Sequence, residues 1–122
     1  SLQNEKFVED LERVGLRGVY LGIESGSQRM LNFFNKCITI DQIKVAAQNL
    51  HKYNVDFASS LLKTPWDRDE DIDATNRLMR EIEPSVIWEN KFVGFRGAPL
   101  TRKMIDDGLV VRKDDDGLLY WW

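Results

Sequence analysis

Val19-Tyr20-Leu21-Gly22-Ile23-Glu24-Ser25-Gly26-Ser27 is a short apolar run that stops in a polar, glycine-bearing turn. The run Val19 to Ile23 follows an interruption at Gly15 to Gly18, and a brief apolar segment bounded by glycines reads as a buried strand. Glu24 closes it. Ser25 to Ser27 then turns the chain, and Met30, Leu31, Phe33 and Phe34 predict a short helix that buries an aromatic face, closed by Asn35 and Lys36.

The segments on either side extend the alternation. Upstream, Phe7, Leu11 and Val14 recur at helical spacing among charged neighbours, which predicts an amphipathic helix over Asn4 to Val14. Downstream, Thr39 and Gln42 have the capping-box spacing, in which a hydroxyl and an amide each satisfy a free N–H, and Ile40, Ile43, Ala47 and Leu50 form the apolar stripe behind them. Val55 to Leu62 reads as a second strand. A helix capped by Asp67 and Glu70 follows, with Ile72, Thr75, Leu78, Met79 and Ile82 on its inner side and Pro84 ending it. Ser85 to Phe95 supplies a third strand, and Pro99 opens a short helix that Gly108 stops. Asp114-Asp115-Asp116-Gly117 between two apolar runs suggests a terminal hairpin.

Strands that alternate with helices imply an α/β fold of parallel strands joined by crossover connections. Three such units make an incomplete barrel or a small open sheet, with unpaired edges that something must cover. The expected organisation is a single domain spanning residues 1–122.

Composition narrows the function classes. Of the 122 residues, 43% are hydrophobic and 30% charged, the balance of a folded globular chain. The 17 basic residues are interspersed with 20 acidic ones, so no nucleic-acid footprint is expected. No apolar stretch approaches the roughly 20 residues of a bilayer-spanning helix, and a cytoplasmic setting is expected. Cys37 is the only cysteine, which rules out an internal disulfide and any cluster held by several thiolates of this chain. Beside apolar residues it reads as a small buried side chain, with Lys36 as a neighbour able to activate it. His51, the only histidine, has no carboxylate or cysteine at ligand spacing and so no metal or acid/base role.

Ligands of α/β folds gather where strands end, so the exits of the three strands are the places to look. At the first, Gly22 and Gly26 allow close approach to the backbone and Glu24 accepts from an ammonium or hydroxyl. A tight turn with Ser27 as helix N-cap and Glu24 in a surface ion pair explains the same residues. At the second, Lys63-Thr64-Pro65-Trp66-Asp67 presents a cation, a hydroxyl and an indole face, or simply a solvated loop. At the third, Arg96 can hold a carboxylate or phosphate, or stand exposed.

In order, these segments resemble the second half of radical S-adenosylmethionine (radical SAM) domains, especially the cobalamin-associated and methylthiotransferase-like branches of the Fe-S oxidoreductases. The resemblance runs from about Gly15 to Val110. Val19 to Leu31 is similar to the family's fourth barrel strand and following turn, and Asn35-Lys36 with Thr39-Ile40 to its next signature. Leu61 to Ile72 resembles the strand, Gly-x-Pro-Gly loop and acidic helix start, and Gly97-Ala98-Pro99-Leu100 the Gly-Thr-Pro-Leu turn. Both loop glycines are replaced, by Lys63 and Trp66, so Trp66 fills space or meets substrate there.

The resemblance implies a partial TIM-type barrel of about three parallel βα units, a fragment of a radical SAM iron-sulfur oxidoreductase. It implies a cofactor site at Gly22, Glu24, Ser25, Gly26 and Lys36 for S-adenosylmethionine. The family's 4Fe-4S cluster needs three thiolates from the first half of the barrel, so neither cofactor is expected on this chain alone and the isolated chain should be inactive. The implied partner is that missing N-terminal half, and exposed edges suggest a homo-oligomer. Two alternatives are a self-standing binding or assembly module without redox chemistry, and a hydrolase pairing Glu24 with Asp67.

Overall fold

A computed structural model describes all residues from Ser1 to Trp122. The chain is α/β and divides into two compact units. The larger unit comprises residues 1–62 and 67–90, the smaller residues 63–66 and 91–122.

The larger unit begins with α1 (Glu5–Arg13), whose N-cap Asn4 side chain accepts from the Phe7 N–H. Its inner face differs from the expected one. Val8 is fully buried, whereas Phe7 and Val14 are exposed, because the helix meets α3 along a line one residue further on. Strand β1 (Gly18–Glu24) leads through Ser27, the N-cap, to the short α2 (Gln28–Phe33). Here Met30 and Leu31 are buried, while Phe33 and Phe34 stay half-buried against each other, ring edge to face at 5.6 Å. The expected aromatic core is thus supplied by aliphatic side chains. Helix α3 (Ile40–Lys52) carries the predicted capping box between Thr39 and Gln42 in full.

Strand β2 (Asp56–Lys63) runs parallel to β1, with Val19 beside Phe57 and Leu21 beside Ser59. Helix α4 (Asp69–Ile82) then returns to β3 (Val86–Lys91), and the sheet order is β1-β2-β3. Parallel neighbours share a face, so Val19, Leu21 and Ile23 lie with Phe57, Ser59 and Leu61 over the helices. Ile23, Phe57 and Leu61 form one core with Val8, Leu31, Ile43, Ala47, Leu50, Leu78, Met79 and Ile82, and Val19 and Leu21 pack against it. The other face of β1, carrying Gly18, Tyr20 and Gly22, is exposed.

Two findings, on the third strand and on the start of α4, correct the expectations. The third strand ends at Lys91, not Phe95, and every residue in it is exposed. Parallel strands are ordinarily covered on both faces, so β3 is an unfinished edge. The sheet is open, one of the two forms expected, with β1 and β3 at its margins. Finally, neither Asp67 nor Glu70 caps α4. Asp71 does so from the third helical position, accepting from the Arg68 backbone N–H at 2.8 Å.

The smaller unit holds α5 (Pro99–Asp106) and an antiparallel pair, β4 (Arg112–Lys113) and β5 (Leu119–Tyr120). The hairpin anticipated at Asp114 to Gly117 is present. Gly117 takes φ of 83°, and Asp114 accepts the Leu118 N–H through Oδ1 at 2.8 Å. No helix of the chain is long and apolar enough to cross a membrane.

Candidate functional site

The parallel ladder between β1 and β2 breaks at its carboxyl end. Gly22 stands beside Ser60 and Glu24 beside Leu61, so Ile23 is an extra residue, a bulge. Glu24 leaves the bulge with φ of 69°, a left-handed conformation that side-chain-bearing residues seldom adopt. Strain of this kind persists where its surroundings impose it and is concentrated at functional positions.

Lys36 reaches the same place from the far end of α2. Its backbone N–H returns to the Leu31 carbonyl at 3.0 Å after a left-handed Asn35, which swings the side chain back towards β1. Lys36 Nζ lies 3.9 Å from Glu24 Oε1, with both side chains partly exposed. Gly22 forms the floor. A methyl group there would sit 3.2 Å from Glu24 Oε1 and 3.8 Å from Lys36 Nζ, so the absent side chain leaves room beside both charges. Next to them is a cavity of about 380 Å³, bordered by Tyr20, Leu21, Gly22, Lys36, Ile38 and Ile43 among others. An anion beside a cation, over bare backbone and next to an apolar hollow, suits a zwitterionic ligand with an apolar part.

The structure thus brings together Gly22, Glu24 and Lys36 and turns Ser25 and Gly26 elsewhere. Ser25 is buried, its hydroxyl 3.3 Å from Thr75 Oγ1, and the Gly26 N–H donates to Thr75 Oγ1 at 2.8 Å. A Cβ on Gly26 would fall 2.5 Å from the Thr75 Cα, so only glycine lets the turn lie against α4. Both residues serve that joint.

Beside them sits a group that the spacing of the sequence did not reveal. Asp71 is buried and accepts from Ser27 Oγ at 2.5 Å, from Arg29 Nε at 3.2 Å, from Arg29 Nη2 and from the Arg68 N–H. The Arg29 hydrogen bond, above all, holds the Asp71 carboxyl far below its ordinary value of 3.8. Burial opposes this, and the Ser27 and Arg68 donors reinforce it. The only sign in the sequence is an arginine two residues after a serine N-cap, with an acidic helix start far away in the chain.

Within the smaller unit, the Trp66 indole N–H donates to Asp107 Oδ2 at 2.9 Å and the ring packs on Phe92 at 5.8 Å. Trp66 therefore fills space there. Arg96 borders a separate cavity of about 670 Å³. His51 Nε2 lies 2.6 Å from the Ile82 carbonyl oxygen and its ring edge meets Phe57, a structural placement. Cys37, expected to be buried, is exposed, because a left-handed turn at φ of 53° carries it out of the core.

Comparison with known proteins adds one similarity. Over 81 residues, 66% of this chain, the sequence is 31% identical to an uncharacterized methyltransferase of Pyrococcus horikoshii. The match spans 18% of that protein. No family model matches the chain. No group of three or more His, Cys, Asp and Glu side chains stands close enough to hold a metal ion.

Proposed function

We propose that this chain is the second half of a radical SAM barrel, and that Gly22, Glu24 and Lys36 form its contribution to the S-adenosylmethionine site. The observation that carries the reading is the meeting of these three residues at the carboxyl end of a parallel strand, where ligands of α/β folds collect. The cofactor's methionyl end carries an ammonium and a carboxylate. Glu24 would accept from the ammonium, Lys36 would pair with the carboxylate, and bare Gly22 would admit the backbone of the ligand. Ser25 and Gly26 would hold the turn and not touch the ligand.

The unfinished sheet supports the same reading. Two unpaired margins and a wet β3 are what a barrel cut through its middle presents, and the missing half would cover them. An iron-sulfur cluster does not fit this chain's own residues, since Cys37 alone cannot supply three thiolates. The cluster would belong to the missing half and would supply the electron for reductive cleavage. The resemblance allows radical formation or, with cobalamin, methyl transfer, and similarity to a methyltransferase favours the second.

The test compares the full-length parent protein with this chain under anaerobic iron and sulfide reconstitution. The parent should gain the visible absorbance of a four-iron cluster and bind S-adenosylmethionine, and Glu24→Gln should weaken that binding about tenfold. The chain alone should gain no stable cluster. A cluster assembled on the chain alone would overturn the reading, as would a parent with no cysteine triplet ahead of these residues.

A further inference from the structure

The larger of the two cavities described above is unconnected with the proposed cofactor site. It lies wholly within the smaller unit, between the segment Phe95 to Ile105 and the hairpin turn from Lys113 to Leu119, with a volume of about 670 Å³. That size is in the range of small-molecule sites.

Its walls are fixed. Gly94 exchanges two backbone hydrogen bonds with Leu119, at 2.8 and 2.7 Å, which pins the hairpin to the segment that enters α5. Thr101 Oγ1 donates to the Phe95 carbonyl at 2.8 Å, and fully buried Met104 closes the unit behind. A Cβ on Gly94 would come 3.2 Å from Thr101 Cγ2 and 3.3 Å from Leu119 Cβ, so the bare backbone there keeps the two walls close. A cavity held this way does not need to order itself when a ligand enters.

The lining joins two kinds of surface that solvent alone does not favour together. Phe95 and Ile105 are 58% and 47% exposed, and Leu118 adds to the same apolar floor. Arg96 and Lys113 stand at the rim without a carboxylate partner, while Arg102 is paired with Asp106. Asp116 is the one acidic residue of the lining, set against the two unpaired cations Arg96 and Lys113. Unneutralised cations beside an exposed aromatic ring suit a ligand with an anionic head and an apolar body.

We infer that this cavity is a binding site for a small amphiphilic anion, its carboxylate or phosphate held by Arg96 and Lys113 and its apolar body laid on Phe95, Ile105 and Leu118. The unpaired Arg96 and Lys113 would disfavour cationic ligands, and Asp116 opposite them only reduces the positive charge of the rim.

The test is an amide chemical-shift titration of the whole chain with phenyl phosphate, benzoate, inorganic phosphate and benzyl alcohol. Phenyl phosphate or benzoate should give saturable shifts at the Gly97, Gly117 and Leu119 amides, and the tighter of the two identifies the head group. Inorganic phosphate and benzyl alcohol, each offering half of the chemistry, should bind at least about tenfold more weakly. Arg96→Ala with Lys113→Ala should weaken binding by about tenfold or more, and Phe95→Ala by several-fold, whereas Arg13→Ala on α1 should leave it unchanged. All three sites are exposed, so the variants should keep the parent spectrum outside the cavity. The inference fails if no shift saturates, if the shifts map elsewhere, if the double variant binds as well as the parent, or if Arg13→Ala weakens binding equally.

Discussion

Arg29 Nε donates to Asp71 Oδ1 at 3.2 Å while its Nη2 meets Oδ2, a two-point ion pair between residues 42 apart in the chain. It locks the turn after β1 to the first turn of α4. The Asp71 side chain is 6% exposed and that of Arg29 39%, so the pair is half in the protein and half in water.

Asp71→Asn should therefore cost about 1–3 kcal/mol, because one side-chain amide cannot accept from Ser27, Arg29 and Arg68 together. Arg29→Ala should cost less, about 1 kcal/mol, since solvent already screens its outer half. Urea midpoints of the two variants measure the difference.

Acid should act through the same carboxyl. Its folded pKa is depressed, so the stabilisation is complete above the unfolded value of 3.8 and is lost as pH falls from there towards the folded one. Stability measured from pH 6 down to pH 2 should decline on the acid side, and Asp71→Asn should flatten that decline.

Gly26→Ala should lower stability by about 2 kcal/mol, because its methyl carbon would stand 2.5 Å from the Thr75 Cα and α4 would have to move. Thermal melting reads the loss. Gly97→Ala, where nothing lies within 4 Å of the new carbon, should show only the milder penalty of its positive φ.

Ser59 is fully buried and its hydroxyl has no hydrogen-bond partner. Ser59→Ala should stabilise the chain by about 1 kcal/mol, the desolvation penalty of one orphaned hydroxyl. A destabilised Ser59→Ala would mean that the hydroxyl is satisfied in solution.

Concentrated chain should associate through β3, where Val86, Ile87 and Trp88 are all exposed on an unpaired strand. Light scattering should detect species above monomer, and Trp88→Glu should reduce them. Monomer alone at high concentration would remove the expectation.

The parallel βα order was legible because local signals agreed. Glycine-bounded apolar runs marked the strands, and the Thr39 and Gln42 pair marked the start of α3. What the sequence concealed depends on the third dimension. Val8 is buried in place of Phe7 because α3 decides which side of α1 is covered, and a stripe of three residues cannot specify that within one position. Asp71 looked like one acid among several at a helix start, and only the fold brings Arg29 to it. At the candidate site, the strand-exit argument pointed to Gly22 and Glu24, and the fold brings beside them Lys36, which only the family resemblance had named. Ser25 and Gly26 do not, since the next two backbone steps turn away from the strand.

The extra residue at Ile23 sets the phase of everything after it. Side chains level with Leu61 in an uninterrupted ladder would point beneath the helices, into the dry interior. By inserting Ile23 to occupy that berth, the chain lets Glu24 draw level with Leu61 yet remain wet. The length of this short stretch is thus as consequential as its composition: removing a single residue would steer a carboxylate into hydrocarbon, and no conservative exchange elsewhere could correct the miscount.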